Sequence, residues 1–111
     1  DLASAESLYQ ESLEIGRALD DRMMIAASLQ NLGIVADRSR DYAAARRYYE
    51  ESLALKTSLG DRVGIANALH NLGDVACSEE DYPTARARLT ESLTLRRELD
   101  HRLGVIYSLN S

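Results

Sequence analysis

The chain has 111 residues, 45% of them apolar, with no Trp or Phe, and a formal net charge of −5. That apolar share excludes an intrinsically disordered segment, and the acidic balance argues against a nucleic-acid surface or an anionic membrane as partner. A single cysteine, Cys77, excludes an internal disulfide and a cysteine-built zinc cluster.

Written in blocks of forty, the chain aligns on itself without a gap. Asp1, Asp41 and Asp81 coincide, as do Ala5, Ala45 and Ala85, and Glu-Ser-Leu recurs at Glu11, Glu51 and Glu91. The first segment, near 2–18, carries Ala5, Tyr9 and Leu13 on one side. The second, near 22–38, places Ile25, Leu29, Leu32 and Ala36 at i, i+4, i+7 and i+11, one face of an α-helix. The third, near 42–58, runs Ala45, Tyr49, Ser52, Leu53 and Leu59. The fourth, near 62–78, repeats the second as Ile65, Leu69, Leu72 and Ala76. A fifth near 82–98 and a sixth near 102–110 follow, with Pro83 in the first turn of the fifth, where its missing N–H is harmless.

The breaks have their own chemistry. Gly60 supplies the left-handed residue that ends a helix, and Asp61 caps the next. "DDR" at 20–22 and "DHR" at 100–102 take the same place with poorer closers. The short connections make neighbours antiparallel. The predicted fold is all-α: a right-handed solenoid of antiparallel pairs, about six helices. The chain divides into a half repeat at 1–20, full repeats at 21–60 and 61–100, and a half repeat at 101–111, and it reads as part of a longer protein.

Leu29-x-x-Leu32-Gly33-x-x-Ala36 followed by Ala45-x-x-x-Tyr49 resembles a tetratricopeptide repeat, and Leu69-x-x-Leu72-Gly73-x-x-Ala76 with Ala85-x-x-x-Leu89 is a second copy. The usual Trp is replaced by Leu, the usual first-helix Tyr by Ala, and no Pro ends the repeat. The long period is similar to the repeats of kinesin light chains, spindle-orientation adaptors and bacterial signal-transduction ATPase regulators, and the wording "ESLALKTSLGDRVGIANALHNLG" looks most like the bacterial group. The resemblance implies a cytoplasmic binding scaffold whose first-type helices line a concave groove. Ala27, Gln30, Asn31, Ile34, Asn67, His70, Asn71, Asp74 and Tyr107 then face the groove, with Asp37, Arg38 and Cys77 further along the same wall. The family's clamp for a C-terminal carboxylate needs Lys and Arg beside such amides. Here Gln30, Ile34, His70 and Asp74 stand in those places, so a neutral to basic protein or peptide is the implied partner.

Asn is a poor mid-helix residue, so Asn31, Asn67 and Asn71 ask for a reason. An amide both donates and accepts, which suits a peptide backbone; bonding to a neighbouring turn serves equally. Gly33 and Gly73 are read as letting the first helix approach Ala45 and Ala85. Ser12, Ser52 and Ser92 are read as small packing residues with hydroxyls bonded one turn back. Arg22, Arg62 and Arg102, unfavourably placed at helix starts, call for a carboxylate on the adjacent helix.

Nothing points to catalysis, a metal or a cofactor. His70 and His101 lie on different helices, Cys77 has carboxylates rather than a base beside it, and the glycines stand singly rather than in a phosphate loop. Two readings follow: a non-catalytic interaction scaffold, or the self-assembly and effector-sensing arm of a bacterial ATPase regulator. Apolar residues at both ends also predict end-to-end self-association.

Overall fold

The computed structural model describes residues 1–110, with side chains through Gly104. Five helices follow one another: α1 (Leu2–Ala18), α2 (Arg22–Arg38), α3 (Tyr42–Leu59), α4 (Arg62–Ser78) and α5 (Tyr82–Asn110). Among the described residues there is no strand. Each helix packs on its neighbours in sequence. The radius of gyration is 15.6 Å, against about 13 Å for a compact domain of about this length, as an open stack requires.

The four turns are built alike. Asp20, Arg40, Gly60 and Glu80 each take a left-handed backbone, with φ of 52°, 63°, 69° and 62°. The next residue is Asp every time, and its N–H donates back to the carbonyl five residues earlier: Asp21 to Gly16 at 2.9 Å, Asp41 to Ala36 at 2.9 Å, Asp61 to Lys56 at 3.0 Å, Asp81 to Ala76 at 2.8 Å. This is the six-to-one bond of a Schellman turn. The same aspartate then caps the following helix. Its carboxylate accepts from the N–H of Met24, Ala44, Gly64 and Thr84 in turn. One residue therefore satisfies orphan backbone groups of two helices, which is why a reversal of two or three residues suffices.

The expected sixth helix at 102–110 is not separate: α5 runs on without a break for 29 residues. The local chemistry accounts for this. Position 101 is His where positions 21, 41, 61 and 81 are Asp, so no carboxylate stands ready to cap a new helix. Asp100 is no poorer a left-handed residue than Asp20, Arg40 or Glu80, which all make the turn, so the missing capping carboxylate is what sets this position apart.

The core is a ladder of small and branched residues. Leu13, Leu29 and Leu32 form one cluster, and Ala36, Ala45, Tyr49, Leu72 and Val75 form the other, bridging α2, α3 and α4. On α3 the buried stripe runs Ala45, Tyr49, Ser52 and Lys56. The expectation that it ends on Leu59 is incorrect; Leu59 is exposed. Exact i, i+4, i+7, i+11 spacing lands on position 56 instead.

Two packing expectations are corrected. The hydroxyls of Ser52 and Ser92 do not donate to a carbonyl of their own helix. Ser52 Oγ donates to the Ala26 carbonyl at 3.0 Å and Ser92 Oγ to the Ala66 carbonyl at 2.7 Å, each across to the paired helix. Both are buried, while Ser12 at the equivalent place is half-buried. Gly33 and Gly73 make room chiefly for Tyr49 and Leu89 rather than for the alanines one turn earlier.

Candidate functional site

The wall formed by α2 and α4 carries the residues singled out in the sequence. Ala27 and His70 are exposed, as is Asp74; Gln30, Asn31, Ile34, Asn67 and Asn71 are half-buried. Tyr107 lies outside the residues whose side chains are described. Ile34 packs against the Tyr49 cluster, so it belongs to the wall's foundation as much as to its face. Asn31 and Asn71 occupy equivalent positions forty residues apart.

The structure separates the amides. Asn67 Oδ1 accepts from Arg96 Nη2 at 2.8 Å, and the same guanidinium touches Ser92 Oγ at 3.4 Å. Gln30 Oε1 accepts from Lys56 Nζ. Asn67 and Gln30 therefore serve α5 and α3 respectively. Asn31 and Asn71 make no side-chain hydrogen bond among the described residues, which leaves both amides open to a ligand.

The far end of the wall is acidic. His70 Nε2 stands 3.2 Å from Asp74 Oδ2, an i,i+4 pair. Partial burial pushes the Asp37 carboxyl above its ordinary value, and the Asp74 charge on the next wall helix adds to the rise. Tyr49 lies beneath. Burial, with Asp37 and Asp74 adding, pushes its hydroxyl up to about 12. The C-terminal halves of α2 and α4 thus come together over one buried phenol.

The near end is different, and the sequence reading did not identify it. Lys56 is only 6% exposed, and it lines a cavity of about 290 Å³ with Met23, Ala26, Ala27, Leu59 and Asp61. Burial lowers its ammonium below the ordinary lysine range, and Asp61 offsets part of that. The signal was present: the stripe from Ala45 falls on position 56, and Lys56 is the single lysine of the chain.

Two further ion pairs join charged groups at the surface. Arg46 Nη1 reaches both Glu79 oxygens, at 2.6 and 2.7 Å, tying α3 to the end of α4. Arg88 and Glu91 pair at 3.5 Å on α5. The carboxylate partner expected for Arg22 is not found: its guanidinium donates to Ser58 Oγ at 3.2 Å. Arg62 likewise has no carboxylate within pairing distance among the described residues. A hydroxyl near a helix C-terminus serves Arg22 because the ends of α2 and α3 meet there. Cys77 is a free, exposed thiol. Among the described residues no group of His, Cys, Asp and Glu is placed to hold a metal ion, and no helix is long and apolar enough to cross a membrane.

A family model described as tetratricopeptide repeat matches residues 1–58, and a second of the same description matches residues 68–103. Among solved structures, the crystal structure of BtubC (BKLC) from P. vanneervenii is similar to this chain with a TM-score of 0.83 and 26% sequence identity. The similarity covers 89% of this chain and 41% of that one, so the chain spans less than half the length of that protein. No curated protein sequence matches the chain.

Proposed function

The chain belongs to the tetratricopeptide repeat family, and on that footing we propose that it is a non-catalytic scaffold holding an extended segment or helix of a partner protein against the α2–α4 wall, in the cytoplasm. Repeats of this family generally mediate protein–protein interaction. The observation that carries the reading to particular residues is the pair Asn31 and Asn71, half-buried, in equivalent positions, with amides that bond nothing else in the described structure. Their spacing by one repeat matches a ligand that crosses successive wall helices and offers backbone donors and acceptors.

Asp37 and Asp74 add negative charge beside these amides, so basic residues of the partner lie toward the C-terminal ends of α2 and α4. The test is binding of the native partner to wild type and to the double variant Asn31→Ala, Asn71→Ala. Loss of affinity at unchanged helicity supports the wall. Unchanged affinity moves the site elsewhere. Asn67→Ala is a poor probe, because it also frees Arg96.

A second reading, self-assembly, has its own observation. Leu8, Ile15, Leu19 and Met23 are exposed along α1 and the start of α2, a concentration of large apolar side chains. Under that reading the chain associates through α1 and serves as the assembly or effector-sensing arm of a regulator. Light scattering over a concentration series separates the two: a strict monomer at high concentration rejects it.

A further inference from the structure

Gly104 is a mid-helix glycine that makes room for nothing: among the described residues, a β-carbon there would meet no atom within 4 Å. Glycine costs about 1 kcal/mol against alanine inside a helix, so the position asks for a neighbour. Forty residues earlier Gly64 has one. A β-carbon there would lie 2.9 Å from Cδ of Lys56, on the antiparallel helix α3. Between α1 and α2 the places are exchanged: a β-carbon at Gly16 would lie 3.2 Å from Cγ of Met24. At both junctions a glycine admits the long side chain eight residues away, across the turn. The third such pair is Arg96 and Gly104. Helix α5 makes no turn between them, so they stand about 12 Å apart along one helix and cannot meet.

The same side of α5 is bare further back. On α3, Tyr42 and Leu53 pack against the cluster that includes Leu72 and Val75 of α4. Their equivalents on α5, Tyr82 and Leu93, are 61% and 49% exposed. Leu93, Asp100 and Gly104 fall at i, i+7 and i+11, one side of the helix, with Arg96 and Arg97 at its two edges. The guanidinium of Arg96 is held by Asn67 and Ser92, which leaves its aliphatic stem at that edge. Residues 101–110 cannot return to cover this side. Helix α5 runs straight for 29 residues beside the 17 of α4, and is about 18 Å longer.

We propose that a second copy of the chain covers it: two molecules pair through antiparallel α5 helices about a two-fold axis near residue 100, with Gly104 of each against the Arg96 stem of the other. Lys56 and Gly64 are centred on Gly60, in the turn between α3 and α4; Arg96 and Gly104 are centred on residue 100 in the same way. Where the chain reverses, the contact forms within one molecule. Where it runs on, a second α5 running the opposite way recovers the same register, and the two-fold makes both contacts at once. The helices then overlap over about residues 90–110, a length of about 30 Å. Asp100 meets its own counterpart near the axis, but Arg96 and Arg97 of both chains lie within a turn of it and offset the paired acids. This surface is neither the α2–α4 wall nor the α1 patch, and the proposal rests on neither.

Sedimentation equilibrium measures the pairing, and Leu93→Arg and Gly104→Arg probe it. Both positions are exposed in the single chain, so circular dichroism should show unchanged helicity. Each variant is expected to weaken the dimer at least about tenfold, because it brings a further cation against Arg96 and Arg97 of the other copy. Disulfide mapping locates the axis. In a Cys77→Ser background, Asp100→Cys is expected to cross-link two chains at least about tenfold faster than Glu98→Cys, which lies on the other side of α5. Ile15→Cys reports on the α1 patch. A strict monomer at high concentration overturns the proposal, and so does a dimer that either arginine variant leaves intact. Faster cross-linking through Ile15→Cys than through Asp100→Cys also overturns it and moves the contact to α1.

Discussion

The backbone of Gly33 lies flush against the ring of Tyr49: a β-carbon there would sit 2.5 Å from Cε1 and 2.7 Å from Cδ1. Forty residues on, the same carbon at Gly73 would meet Leu89, at 2.6 and 2.7 Å. The distances are alike, but the neighbours are not. Tyr49 is a rigid ring buried in the core, whereas Leu89 is half-buried and can turn. Gly33→Ala is therefore expected to destabilise by about 1–3 kcal/mol, after allowance for the better helix propensity of Ala. Gly73→Ala should fall near zero. Urea denaturation of the two single variants checks this, and equal losses would contradict the argument.

Ser52 and Ser92 predict a matched pair of effects. Each buried hydroxyl donates to a carbonyl that the paired helix already uses in its own ladder. Ser52→Ala and Ser92→Ala should each lose about 1 kcal/mol, the net worth of one hydrogen bond. Ser12→Ala, at the half-buried equivalent, should lose little. A Ser12 effect as large as that of Ser52 would point to a further partner across α1.

Tyr49 and Lys56 act on alkaline stability with opposite sign. Tyr49 holds its proton more tightly folded, with its pKa raised from 10.0 to about 12. The folded state thus binds more protons than the unfolded between those values, and stability falls as pH rises through them. Lys56 is lowered from 10.5, so the unfolded state binds more protons just below that value, and stability rises with pH there. Tyr49→Phe should reduce the loss between pH 10 and about 12. Lys56→Met should be more stable than wild type at neutral pH, with the difference shrinking toward 10.5. Denaturation midpoints across pH 7–12 test both; a Lys56→Met advantage independent of pH would show that packing, not charge, is responsible.

Helix α5 offers a test of the turn chemistry. The double variant Asp100→Gly, His101→Asp restores at 99–102 the Leu-Gly-Asp-Arg of 59–62. It supplies both the left-handed residue and the capping carboxylate that the four observed turns share. Carbon chemical shifts are expected to show a break at residue 100 where the wild type is helical. An unbroken α5 in this variant would mean that the terminator residues do not set the boundary.

Much of this molecule was legible as a linear pattern. The forty-residue period fixed two kinds of helix, and the breaks between the stripes located the boundaries of α1, α2 and α4 at the residues observed. Helix ends are short-range chemistry, a left-handed residue followed by Asp, and short-range chemistry can be read from neighbours in the chain. Tertiary structure decided the rest, because each remaining question concerned which side chain meets which across helices. That Ser52 reaches Ala26, that Arg96 takes Asn67 and leaves Asn31 and Asn71 open, and that Arg22 finds Ser58 rather than a carboxylate all depend on the rotation of one helix against the next. Lys56 shows the division most clearly. Its register is written in the sequence, but a lysine at the end of an apolar stripe can bend out to water or stay in, and the packing of Met23, Ala26, Leu59 and Gly64 around α3 keeps it in.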